Sequence, residues 1–167
     1  MAIAVGEGCN NRGSNFTATY TLINMSLPAD GTGTIDAVCI WANTDMSGIE
    51  YATFTNEGGN TFSTNGHTSG SALTATAGAP TTHEAPGDFT AFPVTLGDFI
   101  GIYYGAGKIE GDTSGYTEVK YDEGDQIPAS SNAFNGSLSG YAVSVYATGA
   151  EAAGGTILPF MMAYHGG

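Results

Sequence analysis

The chain has 167 residues, and its 41% aliphatic and aromatic content suffices for one globular domain with its own core. Three basic residues stand against sixteen acidic ones, which gives a formal net charge of -13. Because phosphate contacts depend on Lys and Arg, this balance argues against binding to nucleic acids and to anionic membrane surfaces. No stretch approaches the ~20 apolar residues of a membrane span.

Short β-segments recur along the chain, whereas helical periodicity is nearly absent. Turn clusters rich in Gly, Asn and Asp separate these segments. The pattern predicts an all-β chain that folds as a single β-sandwich of the immunoglobulin-like or jelly-roll kind. The predicted strands are, in chain order, 17–23, 34–42, 49–54, 88–94, 98–104, 116–121 and 140–148.

Two of these regions carry finer expectations. In the segment 140–148, alternation places Tyr141, Val143, Val145 and Ala147 on one face of the strand. Residues 64–86 have low complexity and are predicted to cross one end of the sandwich as a long excursion, in which only ALTAT offers a short strand.

The sequence divides into three parts on this interpretation. Residues 1–8 form an N-terminal strand or arm, residues 9–149 form the sandwich, and residues 150–167 form an apolar strand after a glycine hinge. The apolar parts of the two ends, MAIAV and TILPFMMAY, are strand-length segments.

Each terminal segment is a candidate for donation to a neighbouring copy, with an ordinary edge strand of its own domain as the alternative. A donated strand would satisfy the edge amides of a neighbour and fill its apolar groove, which would contribute on the order of 10 kcal/mol per junction. Pro159 restricts the C-terminal candidate to an edge or bulge position. The donor candidates are Ala2, Ile3, Ala4 and Val5 at one end and Ile157, Leu158, Phe160, Met161, Met162 and Tyr164 at the other.

The cysteines and asparagines suggest covalent modification. Cys9 and Cys39 are either a disulfide of an extracellular protein or, for Cys39, a small buried hydrophobe. Three sequons mark candidate glycosylation sites at Asn15, Asn24 and Asn135.

Motifs for chemistry are weak. The acidic stretch 109–126 offers Asp112, Asp122 and Asp125 as weak calcium candidates, although its spacing matches no EF-hand and a solvated loop is the plainer interpretation. The histidines at 67, 83 and 165 lack metal-site spacing and are predicted to lie in surface loops. Neither a metal nor another cofactor is expected.

Aromatic residues leave a second function open. Exposed tyrosines could stack on sugar rings, whereas the alternative is that they fill the core and rest their hydroxyl groups at its rim. Trp41 lies in the most apolar segment and is predicted to be in the core. The tyrosines concerned are Tyr103, Tyr104, Tyr116 and Tyr121.

The segments GTIDAVCIWANTDMSGIEYATF, GDFIGIYYGAGKIEGDTSG and SGYAVSVYATG occur in this order. With them the chain resembles a family of β-sandwich proteins from metagenomes and phage-associated contigs, over roughly residues 15–149. Some proteins of this kind resemble subunits of pilus-like helical fibrils in which a terminal strand of one copy completes the sandwich of another. The resemblance implies an assembly role and brings no active-site residues.

These observations favour a non-enzymatic structural subunit of an extracellular fibril or virion appendage, with the chain itself as its main partner. A carbohydrate-binding or adhesion module directed at surface glycans, with or without calcium, is the alternative, and a carboxylate hydrolase is the least favoured. MAIAVGEG has no basic n-region and no long h-region, so the sequence displays no signal peptide.

Overall fold

A computed structural model describes residues 2–69 and 73–152. The all-β prediction is confirmed, because these residues form antiparallel strands and no helix. Accordingly, no helix in the two described ranges has the length and hydrophobicity needed to cross a membrane. The strands are β1 Ala2–Gly6, β2 Ser14–Thr17, β3 Tyr20–Asn24, β4 Gly33–Gly58, β5 Thr61–His67, β6 Leu73–Ala75, β7 Pro80–Glu84, β8 Phe92–Val94, β9 Phe99–Tyr103, β10 Ala106–Asp112, β11 Glu118–Glu123, β12 Asn132–Ala133, β13 Gly136–Ser139, β14 Ala142–Val143 and β15 Val145–Glu151.

β4 is the spine of the fold and spans 26 residues. Its first part pairs with β15, β7 and β8, its middle with β10 and β6, and its last part with β9 and β5. The sequence predicted two separate strands here, 34–42 and 49–54, and this prediction was wrong. Gly48 has a φ of 64°, and the pairing with β6 is irregular between Ser47 and Ile49, so the strand bends while its hydrogen bonding continues.

The main path of the sheet runs β1-β15-β4-β9-β3-β11-β13. β10 pairs with the middle of β4 and carries β2 and β14 beside it. Alternating apolar residues of these strands form one large core, for example Ile35, Ile40, Ile100 and Val145, all fully buried. This arrangement is consistent with a β-sandwich.

A second, smaller core covers the other face of β3, β4 and β5. Phe54, Phe62 and Phe134 pack edge to face at its centre, with ring centroids 5.6 and 5.7 Å apart. Phe134 comes from the segment after β11, so this segment acts as a cover over the sheet. β3 is therefore buried on both faces, with Leu22 in the large core and Ile23 in the small one.

Several predicted strand bounds need correction. The predicted strand 17–23 is two strands, β2 and β3, separated by a corner at Ala18 and Thr19. The segment 88–94 is a strand only over β8, and 116–121 begins later, at β11. The predicted excursion 64–86 contains β6 and also β7, which pairs with β4 along five residues. In these segments the strand bounds are determined by pairing with strands distant in sequence, and not by the local composition.

The predicted face of the last strand is confirmed, since Val143, Val145 and Ala147 are all in the large core. The opposite face is covered as well. Ser144 is fully buried, and its hydroxyl group donates to the carbonyl oxygen of Asn10 at 2.6 Å. The segment after β1 therefore lies across the break between β14 and β15.

The N-terminal arm is part of the sheet. β1 pairs with β15 in five register positions, and Ile3 and Val5 are buried in the large core. β15 continues through Glu151, beyond the predicted boundary at 149. The predicted C-terminal strand from residue 153 onward lies outside the described residues.

Candidate docking groove

A groove opens in the protein surface where the chain passes from β2 to β3. Its volume is about 280 Å³, slightly below the range of roughly 300–1,000 Å³ that is usual for small-molecule sites. One wall is β2, with residues 15–17. The floor and opposite wall are Tyr20 and Leu22 of β3, Tyr121 of β11 and Leu138 of β13. We call this feature the groove.

Aromatic rings of the groove are seated on glycines of neighbouring strands. A Cβ atom at Gly111 would collide with the ring of Phe16, and one at Gly136 would collide with the ring of Tyr121. Both rings therefore lie close against a strand backbone that has no side chain at these positions. Tyr20 meets Tyr121 edge to face, with centroids 5.7 Å apart and an angle of 86° between the planes.

The corner between β2 and β3 is held by Tyr104, whose side chain is fully buried. Its hydroxyl group donates to the carbonyl oxygen of Phe16 at 2.8 Å, and its own carbonyl oxygen accepts from the N–H of Thr19 at 3.2 Å. Burial raises the pKa of the Tyr104 phenol, so the hydroxyl group stays protonated as the donor. Thr19 has a φ of 78°, which is unusual for a β-branched residue and marks a sharp reversal.

Both strands that border the groove are edge strands. Within the described residues, β2 pairs only with β10, and β13 pairs only with β11. Phe16, Tyr20, Tyr121 and Leu138 are only partly buried, although they pack against the large core. The groove is therefore lined by partly buried apolar side chains and borders two edge strands, of which β2 also accepts hydrogen bonds from the Tyr104 hydroxyl group.

A charged cluster borders β2 on its N-terminal side. The guanidinium group of Arg12, with a 3% exposed side chain, donates to Asp112 at 2.6 Å and to the Tyr116 hydroxyl group at 2.8 Å. It also lies over the Tyr116 ring, 5.1 Å from the centroid. Glu110 accepts from the Arg12 backbone N–H and from the Asn43 side chain. The cluster fixes the segment that leads into β2.

The carboxylates of the acidic stretch 109–126 are not gathered into a cluster in the described residues. No group of three or more His, Cys, Asp and Glu side chains that could hold an ion occurs there. Of the calcium candidates, Asp112 forms an ion pair with Arg12, and the carboxylate of Asp125 accepts the N–H of Ile127. Asp122 lies on β11, opposite Thr21 of β3.

Cys9 and Cys39 form a disulfide with their Cα atoms 5.7 Å apart. Of the two interpretations of Cys39 that the sequence left open, the structure has the bridged one. The bridge ties the segment after β1 to β4, on the side of the sheet that faces away from Ile40. In the described residues no cysteine is free.

The three sequons differ in access. Asn15, at the rim of the groove, and Asn135, in the turn before β13, are exposed. Asn24 is fully buried, and its side-chain NH₂ group donates to the carbonyl oxygen of Val143 at 3.2 Å. The folded chain therefore offers no glycan access at Asn24.

The tyrosines weighed as sugar-stacking residues do not form one surface in the described residues. Tyr104 is in the core, Tyr103 packs against the small core, and Tyr121 packs against the large core. The ring of Tyr116 is covered by the guanidinium group of Arg12. Trp41, predicted to be in the core, is half-buried because the core face of β4 is formed by Ile40 and Ala42.

His83 was predicted to be a surface residue, and this was wrong. It is 6% exposed, and its Nε2 lies 3.0 Å from the carbonyl oxygen of Thr74. Since a carbonyl oxygen only accepts, Nε2 carries the proton and Nδ1 accepts from the Tyr51 hydroxyl group at 2.8 Å. His67 is half-buried, and His165 lies outside the described residues.

The candidates for strand donation fall into two groups, one inside and one outside the described residues. Ala2, Ile3, Ala4 and Val5 belong to β1 and pair with β15 of their own chain. The C-terminal candidates, from Ile157 to Tyr164, lie outside the described residues. The position from which they depart is described, because the N–H of Ala152 donates to the carbonyl oxygen of Thr32 at 3.0 Å.

Sequence reasoning did not predict the groove or its residues Phe16, Tyr20, Leu22 and Leu138. A signal was present in SNFTATYTLI, where apolar residues occupy positions 16, 18, 20 and 22. All four pack against or within the large core, so the alternation continues across the corner. The contribution of β13 had no comparable signal.

No protein-family model matches the chain, and no curated protein or solved structure was found to be significantly similar to it.

Proposed function

We propose that this protein is a non-enzymatic structural subunit of an extracellular fibril, whose copies are joined by exchange of a terminal strand. The observation that carries the proposal is the way in which the chain leaves its sheet. β15 is hydrogen-bonded through Glu151, and the chain then continues through Ala-Ala-Gly-Gly into TILPFMMAY. A fully paired strand thus passes directly into a hinge and an apolar segment that can bind elsewhere.

The position of β1 favours the C-terminal segment as the donor. Ile3 and Val5 are buried, and the backbone of Ala4 bonds to Asp30 on the side away from β15. Releasing β1 would therefore expose core residues and break bonds on both of its edges. We therefore assign the exchanged strand to the other apolar segment, residues 156–164.

The disulfide supports an extracellular location. Disulfides persist in oxidising compartments and are rare in the cytosol. A loop of about 30 residues closed by a bridge contributes roughly 3–4 kcal/mol on the chain-entropy model. A fibril outside the cell has no access to chaperones, and such a covalent brace suits that setting.

The groove supports a second candidate, a glycan-binding or adhesion module. Tyr20 and Tyr121 are half-buried there beside the exposed polar residues Asn15 and Thr17. Their edge-to-face packing gives no flat platform for a sugar ring, so we rank this function below assembly.

The test compares the intact chain with a variant that lacks residues 153–167, by size-exclusion chromatography and negative-stain electron microscopy. The intact chain should form polymers, and the truncated chain should remain monomeric with an unchanged melting temperature. Removal of residues 1–8 should instead lower the melting temperature strongly. A monomeric intact chain, or a truncated chain that polymerises as well as the parent, would overturn the proposal.

A further inference from the structure

We infer that the groove is the acceptor site for residues 156–164 of a second copy of this chain. The inference rests on the proposed function and adds to it where the exchanged strand binds and which residues receive it. The groove combines what an incoming strand requires, namely apolar side chains on its floor and edge strands at its border. β2 and β13 supply the edges, and Tyr20, Leu22, Tyr121 and Leu138 supply the apolar surface.

The sequence of the segment fits such a site. With a period of two, Leu158, Phe160, Met162 and Tyr164 fall on one face of a strand, so one side is continuously large and apolar. The N–H and C=O groups of these four residues also point to one edge. Pro159, which has no N–H, belongs to the other set and leaves that edge intact. The segment can therefore pair with one border of the groove while some of the large side chains on this face enter it.

Charge also favours this occupant. The chain carries a net charge of -13, yet residues 152–167 contain no Asp, Glu, Lys or Arg. An uncharged segment approaches an acidic protein without repulsion, and it places no charge on the apolar floor.

Whether the donor segment comes from the same copy or from a second copy depends on the distance between the end of β15 and the groove. Phe16 pairs with Ile109, and Ile109 pairs with Ala42, so these residues form one row across the strands. Glu151 pairs with Gly33, which is nine residues from Ala42 along β4, or roughly 25–30 Å.

The hinge is too short to cover that span. From Ala152 the chain reaches Leu158 in six residues, at most about 22 Å when fully extended. By this estimate Leu158 falls short of the groove of its own chain, whereas Phe160 and Met162, eight and ten residues from Ala152, extend up to about 29 and 36 Å. Binding of the whole segment, with Leu158 seated in the groove, therefore requires a second copy. The donor end and the acceptor site lie at opposite ends of the first part of β4, and such a contact propagates head to tail into an open polymer.

The experiment uses two complementary chains. Leu138→Glu places a charge on the floor of the groove and keeps the segment 153–167, whereas the truncated chain keeps the groove and lacks the segment. Leu138→Glu alone should not polymerise, but mixed with the truncated chain it should give a 1:1 dimer. Asn135→Glu, which adds the same charge at an exposed position just before β13, should polymerise like the parent.

A direct measurement covers the case in which Leu138→Glu does not fold. A photoreactive benzoyl-phenylalanine at position 138 should cross-link to the segment 152–167, which cleavage after glutamate releases as one peptide after Glu151. Mixing isotopically labelled and unlabelled chains should show the cross-link between copies. The same residue at position 56, exposed near the end of β4, should give no such product.

The outcomes separate the two proposals. If Leu138→Glu folds and polymerises like the parent while the truncated chain does not, the groove is not the acceptor, although strand exchange stands. If the intact chain is monomeric, strand exchange itself fails. Binding of a synthetic peptide 153–167 to the truncated chain should weaken about tenfold or more in Leu138→Glu. A neutral oligosaccharide that binds the truncated chain and is lost in Leu138→Glu would instead assign the groove to a glycan.

Discussion

At the scale of single residues, several polar side chains are structural members of the core. Asn24 is the clearest example, since both ends of its amide are used. Its NH₂ group donates to Val143, and its oxygen accepts from the N–H of Ser26 at 3.2 Å. A sequon at this position therefore marks a side chain that the fold has enclosed, not a surface feature.

Replacing this amide should be costly. Asn24→Ala leaves the carbonyl oxygen of Val143 and the N–H of Ser26 without these partners, so the free energy of unfolding should fall by about 2–4 kcal/mol. Asn135→Ala alters a sequon of the same type at an exposed site and should change stability by less than about 0.5 kcal/mol. Urea unfolding measures both, and equal effects would contradict the assignment of Asn24 to the core.

The charged pair of Arg12 and Asp112 predicts a dependence on pH. Partial burial acts to raise the pKa of Asp112, but hydrogen bonds from Arg12 and Tyr116 and the guanidinium charge outweigh it, so this pKa lies below its ordinary value. A carboxyl group with a lowered folded-state pKa stabilises the fold above its unfolded pKa of about 3.9. That contribution is lost as the pH falls through the lower folded-state value.

Asp112→Asn should therefore reduce the free energy of unfolding by about 1–3 kcal/mol at pH 7. The difference between variant and parent should narrow as the pH falls below about 4, because the parent then loses the same charge. Denaturant unfolding at a series of pH values measures this, with Asp36→Asn, an exposed aspartate on β4, as the control. A difference that stays constant to pH 2.5 would show that the charge of Asp112 is not the source.

At the scale of elements, the close approach of β15 and β4 is the most restrictive contact. A Cβ atom at Gly149 would collide with the carbonyl oxygen of Thr34, at the irregularity between Thr148 and Gly149. The backbone itself occupies the space, so no side-chain movement can relieve the clash.

Gly149→Ala should therefore separate the strands locally and lower the free energy of unfolding by about 3 kcal/mol or more. Gly13→Ala is a matched control, since a Cβ atom there meets no other group within 4 Å. Thermal unfolding followed by circular dichroism should show a large loss for the first variant and little change for the second. Similar melting temperatures for both would mean that β15 and β4 are not packed as closely as described.

The elements also show how much of the fold could be predicted from the sequence. Apolar alternation was sufficient for the all-β class and for the core face of β15, because these properties depend on local period and burial. β10 was missed, since its sequence AGKIEGD has no strand pattern. Glu110 is buried there only because Arg12 and Asn43, far away in sequence, satisfy it. The groove is harder still, as four strands separated by up to about 120 residues have to meet before it exists.

At the scale of the whole molecule, a charge of -13 on 167 residues opposes any contact between copies. In the proposed strand exchange, the uncharged apolar segment would offset this repulsion, and the electrostatic cost of bringing the domains together would remain. That cost is long-range and falls when salt shortens the screening length, from about 30 Å at 0.01 M to about 8 Å at 0.15 M.

Assembly should therefore become more favourable with salt. The critical concentration for polymer formation should fall as sodium chloride rises from 0.01 to 0.3 M, and it should fall again as the pH is lowered from 8 toward 5, where the net negative charge decreases. Light scattering and sedimentation across these conditions measure the critical concentration. Leu138→Glu should stay unassembled at every salt concentration, because screening removes repulsion but restores no apolar contact. A polymer that dissolves as salt increases would show that ion pairs, and not an inserted apolar strand, hold the copies together.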